Sequence, residues 1–313
     1  MSSNTLKGKN ILITGVNGFV GSHLFDRLSK MGANVFGLSL KGFGKAIFKV
    51  NVLNYSDLGK IIKEKNIQIC YHLAGESLVE SGQSNPLKTF RVNIDGTLNI
   101  LENARKNNLE RVVIASTSHV YGKNEVPYYE SYPSKPTRPY ETSKACTDLI
   151  AQSYADSYTL PVLIPRFVNI YGPGDLNFTR LIPKTMKQII TENKVSLWGG
   201  GAVRDFLYID DAIDAYVDLA LLDISKIEDN RIINFGGGNT ISVKEIVDDI
   251  VNISKKEVKI VKETQLREDE IKEQYVSFKK AKRLLAWEPR IPLAEGLLKT
   301  YKWYSSYFSK YEK

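Results

Sequence analysis

The sequence contains few of the residues that cross-link a chain, bind metals or span a membrane. Its 313 residues include only two cysteines and three histidines, too few for a disulfide framework or a zinc cluster. No run of about 18 apolar residues occurs, so we expect no membrane span. The opening segment MSSNTLKGKN has no apolar core, and Ile11–Thr14 is too short for a signal peptide. We therefore expect a cytoplasmic protein with free thiols at Cys70 and Cys146 and no metal site.

The charges are not concentrated in one sign or one segment. Lysine and arginine number 43 and aspartate and glutamate 35, which gives a formal net charge of +8. The lysines are scattered in runs such as KGKN, IIKEK and FKKAKR, and most have acidic neighbours. This distribution is typical of a solvated surface, and it leaves room for a small anionic ligand. We expect neither a nucleic-acid nor a membrane partner.

The first half of the chain alternates short β-rich runs with helical periods. The expected strands are Ile11–Thr14, Asn34–Leu38, Ala46–Val50, Ile67–Leu73, Arg111–Ser116 and Val162–Arg166. The expected helices are Phe19–Met31, Leu58–Lys65, Pro86–Lys106 and Tyr140–Tyr158. Nearly continuous apolar strands that alternate with helices predict an α/β fold with a parallel sheet covered on both faces.

The second half has a different pattern, which begins at Gly172-Pro173-Gly174. Helical periods follow at 178–191, 210–222, 243–253, 279–285 and 293–307. Only Val195–Trp198, Ile232–Phe235 and Val258–Lys262 have the composition of strands. We expect a smaller mixed α/β part that packs on the end of the sheet and shares a cleft with it.

A glycine-rich turn joins the first strand to the first helix. Gly15, Gly18 and Gly21 form the pattern GxxGxxG within TGVNGFVG. Such glycines permit a tight turn, close approach of the backbone to a pyrophosphate and close helix packing, and the helix amides then face the anion. A loop with convenient glycines is the alternative, but the position between a strand and a helix favours a dinucleotide site.

The residue that closes the second strand distinguishes the two nicotinamide dinucleotides. An acidic residue there would bind the adenosine ribose hydroxyls of NAD, whereas this chain has Ser39, with Lys41 just beyond. A hydroxyl and a cation can receive a 2′-phosphate. We therefore favour NADP, and NAD is the alternative if Lys41 is only solvated.

Tyr140 and Lys144 are four residues apart, so they share one face of a helix. A phenol with a pKa of about 10 is a poor base at neutral pH. A nearby ammonium, together with a positive nicotinamide ring, would lower that pKa. Upstream, Ser116, Thr117 and Ser118 follow a strand, where a hydroxyl could hold a substrate oxygen. Together these residues predict a catalytic phenol beside a dinucleotide.

Motifs along most of the chain resemble those of the extended short-chain dehydrogenase/reductase family, in its nucleotide-sugar epimerase/dehydratase branch. The resemblance runs from Asn10 to about Trp303 and rests on TGVNGFVG, YHLAG, VNIDGTLNILE, ASTSHVYG, PYETSK, PRFVNIYGPGD, VRDFLYIDD, NFGGG and WEPRIPL. It implies a Rossmann-type doubly wound parallel sheet at 1–170, with 205–236 returning to it. It also implies a smaller C-terminal mixed α/β substrate domain at 171–204 and 237–313, and a homodimer through the helices at 86–106 and 140–158.

The resemblance also assigns roles in oxidation of the sugar, usually at C4. Tyr140 matches the catalytic base, Lys144 the residue that binds the nicotinamide ribose, and Thr117 the residue that bonds the same sugar oxygen. The implied cofactor contacts are Gly15, Asn17, Gly18, Phe19, Val20, Gly21, Ser39, Lys41, Asn51, Val52, Leu73, Ala74, Gly75, Asn93, Tyr140 and Lys144. Asn51 departs from an aspartate that is common near adenine, so this contact stays open.

The implied substrate is a nucleoside diphosphate sugar. Its expected contacts are Ser118, Asn169, Arg180, Arg204 and Arg267. Arginines suit a diphosphate because their planar donors bind it bidentately. A salt bridge with Asp205 or Asp210 is the structural alternative for Arg204, and acidic neighbours offer the same alternative for Arg267.

Three reactions of the family use the same site, namely 4,6-dehydration, 4-epimerisation and 4-ketoreduction. Sugar dehydratases often have an Asp-Glu pair after the catalytic hydroxyl, where this chain has Ser118 and His119. Serine in the first place resembles GDP-mannose dehydratases, and the segment around Arg180 resembles CDP-glucose dehydratases. Segments around Arg267 and Trp287 instead resemble GDP-4-keto-6-deoxymannose reductases.

Histidine can abstract a proton near neutral pH, so His119 is a candidate catalytic base, with a purely structural imidazole as the alternative. We therefore favour a dehydratase, then an epimerase, then a reductase. A non-catalytic dinucleotide sensor on the same fold is the alternative from another class. Such a sensor would have no need of Thr117, Tyr140 and Lys144 together.

Overall fold

A parallel sheet of eight strands forms the centre of the molecule. The computed structural model describes residues 5–227, 230–263 and 271–311. Within them the strands are β1 (Asn10–Thr14), β2 (Asn34–Ser39), β3 (Ile47–Lys49), β4 (Ile69–His72), β5 (Arg111–Ile114), β6 (Ser116–Thr117), β7 (Val162–Phe167), β8 (Asn169–Tyr171), β9 (Lys194–Trp198), β10 (Val203–Tyr208), β11 (Ile232–Phe235), β12 (Thr240–Ser242), β13 (Lys259–Glu263) and β14 (Glu273–Gln274). The α-helices are α1 (Phe19–Lys30), α2 (Tyr55–Glu64), α3 (Val79–Ser84), α4 (Pro86–Phe90), α5 (Gly96–Lys106), α6 (Pro139–Tyr158), α7 (Leu181–Glu192), α8 (Ile209–Leu221), α9 (Val243–Ser254), α10 (Lys279–Leu285) and α11 (Leu293–Tyr311).

The order of the strands fixes where a ligand can bind. The central sheet runs β11-β7-β5-β4-β1-β2-β3, β6 also pairs with β7, and every pairing is parallel. The winding reverses between β1 and β4, and α/β sheets bind ligands in the crevice outside the carboxyl ends of such strands. The predicted Rossmann-type, doubly wound parallel sheet is therefore confirmed.

Both faces of this sheet are buried under helices. Ile11 and Ile13 belong to the core cluster that contains Leu24 of α1, whereas Leu12 belongs to the opposite cluster with Ile100 of α5. Successive side chains of a strand point to opposite faces, so a strand covered on both sides is apolar at every position. Full burial of one such aliphatic side chain stabilises the fold by about 1.5–3 kcal/mol.

The helix predicted at Pro86–Lys106 is interrupted by a π-helical turn at Arg91–Asp95. Its start is fixed by Asn85, whose side chain accepts a hydrogen bond from Lys88 N at 3.1 Å. Sequence periodicity does not reveal one extra residue within a turn, which is why a continuous helix was expected. π turns frequently lie at functional sites, and this one contains Asn93.

A second sheet of four strands packs beside the first. β10 pairs with β12 antiparallel and with β14 and β8 in parallel, while β9 and β13 form a separate parallel pair. The prediction of only three strands after Arg166 is therefore wrong. The partners of β10 are only two or three residues long, so their sequences show no strand periodicity. Arg204 and Asp205 interrupt the apolar pattern of β10 itself, so this strand was not predicted either.

The last strand of the central sheet comes from the second half of the chain, since β11 pairs with β7. The domain boundaries at 170, 204 and 236 stay a prediction. Among the described residues, no helix is both long enough and apolar enough to cross a membrane.

Candidate active site

The glycine turn at the end of β1 leaves its backbone open to an anion. Gly15 has φ +70°, and a Cβ built there would lie 2.9 Å from Ala74 Cα. Gly18 is the N-cap of α1 and gives no side-chain cap, so the first-turn amides of Phe19, Val20 and Gly21 have no partner within the helix. Unpaired amides at a helix N-terminus attract phosphate.

The end of β2 lies against this turn. Asn17 Nδ2 donates a hydrogen bond to Ser39 Oγ at 2.9 Å, and Gly42 N donates to the same oxygen at 2.9 Å. Lys41 is exposed. Ser39 is thus held beside the turn by two donors, while the Lys41 side chain extends into solvent from the same loop.

Asn51 and Val52 follow β3 at the neighbouring edge. Asn51 is exposed, and its Oδ1 accepts a hydrogen bond from Leu53 N at 3.0 Å. Val52 is buried, and its carbonyl accepts a hydrogen bond from Asn99 Nδ2 at 3.0 Å. Asn51 therefore presents a polar side chain next to β2, and the backbone of Val52 is held in place by Asn99.

Thr14 joins the carboxyl ends of β1 and β4. Its Oγ1 accepts hydrogen bonds from Leu73 N at 3.2 Å and Ala74 N at 3.1 Å. With both amides donating, the hydroxyl proton of Thr14 is left for His72 Nδ1, which lies 2.8 Å away. Burial and, to a smaller extent, the charge of Lys144 together lower the pKa of His72 to about 3, so this imidazole is neutral. Sequence reasoning did not identify either Thr14 or His72.

Asn93, within the π turn, ties three segments together. Its Oδ1 accepts a hydrogen bond from Glu76 N at 2.8 Å, and its Nδ2 donates to Glu76 O at 3.0 Å and to Ser143 Oγ at 2.8 Å. Ser143 Oγ in turn donates to Tyr140 O at 2.7 Å. The predicted residue Asn93 thus fixes the chain after β4 against the first turn of α6.

Tyr140 and Lys144 lie on α6, on either side of Ser143 in the sequence. Tyr140 is 9% exposed. Lys144 Nζ donates a hydrogen bond to Ala115 O at 2.9 Å and lies 3.9 Å from a Cβ built at Gly75. Because Ala74 packs on Gly15, the ammonium lies at the carboxyl edge of the sheet, beside the glycine turn. The two side chains predicted to act together are therefore in one place.

Burial controls the ionisation of both groups. It raises the pKa of Tyr140 to about 12, although the charge of Arg180 and a hydrogen bond with Thr117 oppose the shift. It lowers the pKa of Lys144 to about 8, and Asp148 opposes that shift. The lowering of the Tyr140 pKa that the sequence predicts therefore does not occur in the protein alone, because desolvation of the phenolate outweighs the opposing effects of Arg180 and Thr117.

A buried ion pair lies behind Lys144. Arg166 Nε donates to Asp148 Oδ2 at 2.8 Å, and both side chains are at most 3% exposed. The Arg166 guanidinium stacks over Tyr121, 4.5 Å from the ring centroid. Removing one partner of such a pair would leave an unpaired buried charge, which costs about 3–5 kcal/mol.

The hydroxyl cluster after β5 lies next to Tyr140. Thr117 and Ser118 are buried, and Thr117 Oγ1 accepts a hydrogen bond from His119 N at 3.3 Å. His119 Nδ1 lies 3.8 Å from Glu141 Oε1, and this carboxylate is 3% exposed. Sequence reasoning missed Glu141, although its position directly after Tyr140 was a usable signal.

Three of the expected substrate residues contact neighbours within the second half of the chain. Arg180 pairs with Asp175 at 3.0 Å and acts electrostatically on Tyr140. Asn169 Nδ2 donates to Asp205 O at 3.4 Å. Arg204 Nη1 donates to Val203 O at 2.9 Å, near β14. Arg267 lies outside the described residues.

Asp205, one of the two acids considered as an alternative partner for Arg204, binds a backbone amide. Both of its carboxyl oxygens accept from Gly237 N, at 3.0 and 3.1 Å. Burial raises the pKa of Asp205 to about 6, and hydrogen bonds from backbone amides oppose the rise. Across residues 5–227, 230–263 and 271–311, no three His, Cys, Asp or Glu residues are grouped to hold a metal ion.

Comparison with known proteins places this arrangement in a family. The family model described as "NAD dependent epimerase/dehydratase family" matches residues 11–236. A UDP-glucuronate 4-epimerase of Thermodesulfobacterium geofontis is 31% identical, over 93% of this chain and 95% of that protein. A dTDP-D-glucose 4,6-dehydratase of Mus musculus is 30% identical, over 97% of this chain and 91% of that protein.

A solved structure supports the same assignment. The UDP-glucuronic acid 4-epimerase of Bacillus cereus, in complex with a fluorinated UDP-glucuronic acid and NAD, is 26% identical and superposes with a TM-score of 0.87, over 95% of this chain and 99% of that chain. The chain therefore belongs to the NAD dependent epimerase/dehydratase family, and it is an extended short-chain dehydrogenase/reductase whose relatives include both nucleotide-sugar epimerases and dehydratases.

Proposed function

We propose that the protein oxidises a nucleoside diphosphate sugar at C4 with NAD(P) and then removes water between C5 and C6, as a 4,6-dehydratase does. The observation that carries this proposal is the position of His119. It lies two residues after Thr117 in the sequence, and its side chain faces Glu141, which follows Tyr140 on α6. Dehydration needs a base for the C5 proton, and imidazole is suited to that task near neutral pH. Epimerisation at C4 needs no titratable group there.

The crevice outside β1 and β4 fits a dinucleotide. The first-turn amides of α1 would hold its diphosphate, and Ala74 and Gly75 would line a ribose. Lys144 Nζ, 3.9 Å from a Cβ built at Gly75, would bond a ribose hydroxyl. A bound nicotinamide would supply the acceptor for the C4 hydride and the donor that returns this hydride to C6.

The acid–base steps fall to residues of this chain. Thr117 and Tyr140 hold the sugar oxygen, and Tyr140 removes its proton. Because burial raises the pKa of Tyr140 to about 12, this step depends on nearby positive charge from Arg180 and Lys144. His119 then removes the C5 proton, which the new C4 ketone makes acidic. The C6–O bond breaks next, and the hydroxyl leaves as water with the proton that His119 has taken up.

We favour NADP as the cofactor. Ser39 Oγ is held at the end of β2 by Asn17 and Gly42, and Lys41 is exposed on the same loop. A hydroxyl and an ammonium at this place suit a 2′-phosphate, and an acidic residue that would repel it is absent from positions 39–41. Calorimetric titration with NADP and NAD tests this preference, and equal affinity would contradict it.

A homodimer is also part of the proposal. Leu87 near the start of α4 is 69% exposed and Leu149 on α6 is 66% exposed. Apolar side chains on these helices suit a four-helix interface between two copies. Sedimentation of the wild type and of Leu149→Glu measures it, with a dimer expected for the first and a monomer for the second. A monomeric wild type would refute the interface.

A 4-epimerase is the second candidate, and its support is the 31% identity to a UDP-glucuronate 4-epimerase along nearly the whole chain. The two functions are separated by incubation with UDP-glucose, UDP-glucuronate, UDP-N-acetylglucosamine, dTDP-glucose, CDP-glucose and GDP-mannose. Mass spectrometry would detect loss of water for the dehydratase, whereas unchanged mass with altered stereochemistry identifies an epimerase. No conversion of any of them would favour a non-catalytic sensor.

The variant His119→Gln tests the assigned base directly. It should slow solvent deuterium incorporation at C5 at least about 10²-fold, to a residual rate, while oxidation at C4 survives, because Tyr140 and Thr117 are unchanged. Incorporation at the wild-type rate would show that another group removes this proton.

A further inference from the structure

Glu141 has no place in the mechanism above, yet it is among the most buried carboxylates near Tyr140. Its side chain is 3% exposed, and that of His119 is 25% exposed. Its Oε1 faces His119 Nδ1 at 3.8 Å, and its Oε2 accepts from Thr137 N at 3.3 Å. A solvated surface pair would not bury the acid and leave the base partly open.

The charge state of Glu141 follows from its neighbours. Burial raises the pKa of this carboxyl, but His119, the Thr137 amide and the charge of Arg138 outweigh burial and leave the pKa below its ordinary value. Glu141 is therefore ionised near neutral pH. An ionised carboxylate has only acceptor sites.

A carboxylate beside Nδ1 favours the form of the neutral imidazole that carries its proton on that nitrogen. In this form Nε2 is the basic nitrogen. Among the described residues, no hydrogen-bond partner is recorded for Nε2, and a quarter of the side chain is exposed. One nitrogen thus faces the protein and the other is available to a ligand.

We propose that Glu141 is a positioning residue that holds His119 in the Nδ1–H form, so that Nε2 removes the C5 proton of the 4-keto sugar. This inference rests on the proposed dehydratase function. In the step, the C5–H bond breaks, its electron pair moves into a C4–C5 enolate, and the proton passes to Nε2. The negative charge on the C4 oxygen is met by the protonated Tyr140 hydroxyl and by Thr117.

The first experiment compares Glu141→Gln, His119→Gln and the double variant. Glu125→Gln is the control, because Glu125 is an exposed carboxylate in the segment after His119. The substrate is the member of the six-sugar panel that the wild type dehydrates. Glu141→Gln should slow C5 deuterium incorporation about 10- to 100-fold, the size of effect expected when the outer partner of a functional histidine is lost. C4 oxidation, followed by absorbance of the reduced nicotinamide, should stay within about twofold, because neither Tyr140 nor Lys144 is altered.

The double variant separates positioning from general structural support. If Glu141 acts through His119, the double variant should exchange no more slowly than His119→Gln alone. The proposal is overturned if the two losses multiply, if C4 oxidation falls as far as C5 exchange, or if Glu141→Gln exchanges at the wild-type rate.

A second measurement needs no variant and no substrate. Ring-nitrogen NMR of the wild type, which has only three histidines, should show neutral His119 protonated on Nδ1. Protonation on Nε2 overturns the role of Glu141 whatever reaction is found. A sugar panel without any loss of water would instead refute the dehydratase function and the C5 step, so the two failures are distinguishable.

Discussion

The carboxyl edge of the central sheet and the small four-stranded sheet satisfy their buried polar groups by different means. At the edge, neutral groups hold the backbone, since Thr14 accepts from two amides and Asn93 joins two segments. In the small sheet a carboxyl does this, because Asp205 accepts from Gly237 N. The edge can therefore use its ionisable groups for chemistry, whereas ionisation in the small sheet is linked to folding.

The ionisable groups of the edge fit this division. Tyr140 is buried and Lys144 is half-buried, and desolvation shifts the pKa of each toward its neutral form. Their backbone is held by other residues, with Asn93 bonded to Ser143 between them. Changes to the phenol should therefore affect turnover and leave the fold intact.

Tyr140→Phe should give the largest effect and tests this separation. We expect turnover to fall at least about 10²-fold, because a general base is removed. Cofactor affinity and the free energy of unfolding should change little, since the phenol of Tyr140 is un-ionised at neutral pH. Steady-state kinetics, fluorescence titration and urea unfolding measure the three quantities. Tyr154→Phe on the same helix is the control, and near-normal turnover of Tyr140→Phe would remove the phenol from the mechanism.

Asp205→Asn tests the opposite behaviour of the small sheet. The folded pKa of Asp205 is raised to about 6 from an ordinary 3.8. The folded state therefore binds more protons between these values, so its stability is present below the lower pKa and is lost as pH rises through the higher one. A shift of this size corresponds to about 3 kcal/mol at most.

The measurement is urea unfolding of both proteins from pH 4 to pH 7. Burial also raises the pKa of Asp148 and Asp211, so only the difference between wild type and Asp205→Asn isolates this group. We expect the wild type to lose stability relative to the variant across the range. A constant difference would show that Asp205 is ionised in the fold at every pH tested.

The carboxyl edge of the central sheet was predicted from the sequence better than the four-stranded sheet. The glycine turn, the Tyr140–Lys144 pair and Asn93 depend on local spacing and on motifs, and the structure brings them together at one edge. Thr14 and His72 meet only because β1 and β4 are neighbours, which no local pattern reveals. Glu141 was adjacent to a predicted residue, but its partner His119 lies 22 positions away, so the contact depends on the fold.

The small sheet was predicted less well because its strands are short and their pairing is distant. β10 pairs with residues 240–242 and 273–274, and the two-residue β14 has no periodicity to detect. Asp205 also places a charge in the middle of a strand, where composition argues against one. The 19-residue helix α11 was found because its apolar face repeats several times.

The glycine turn offers the smallest and most local test, through Gly15→Ala compared with Gly8→Ala. Both glycines have positive φ, +70° and +76°, but a Cβ at Gly15 would lie 2.9 Å from Ala74 Cα, while one at Gly8 has no neighbour within 4 Å. Both variants should pay the left-handed backbone strain of about 1–2 kcal/mol. Gly15→Ala should lose roughly a further 1–2 kcal/mol by overpacking. It should also bind NAD(P) more weakly, because Ala74 must move from its place beside Lys144. Equal unfolding free energies and equal cofactor affinities would mean that contact between the turn and Ala74 does not fix the edge.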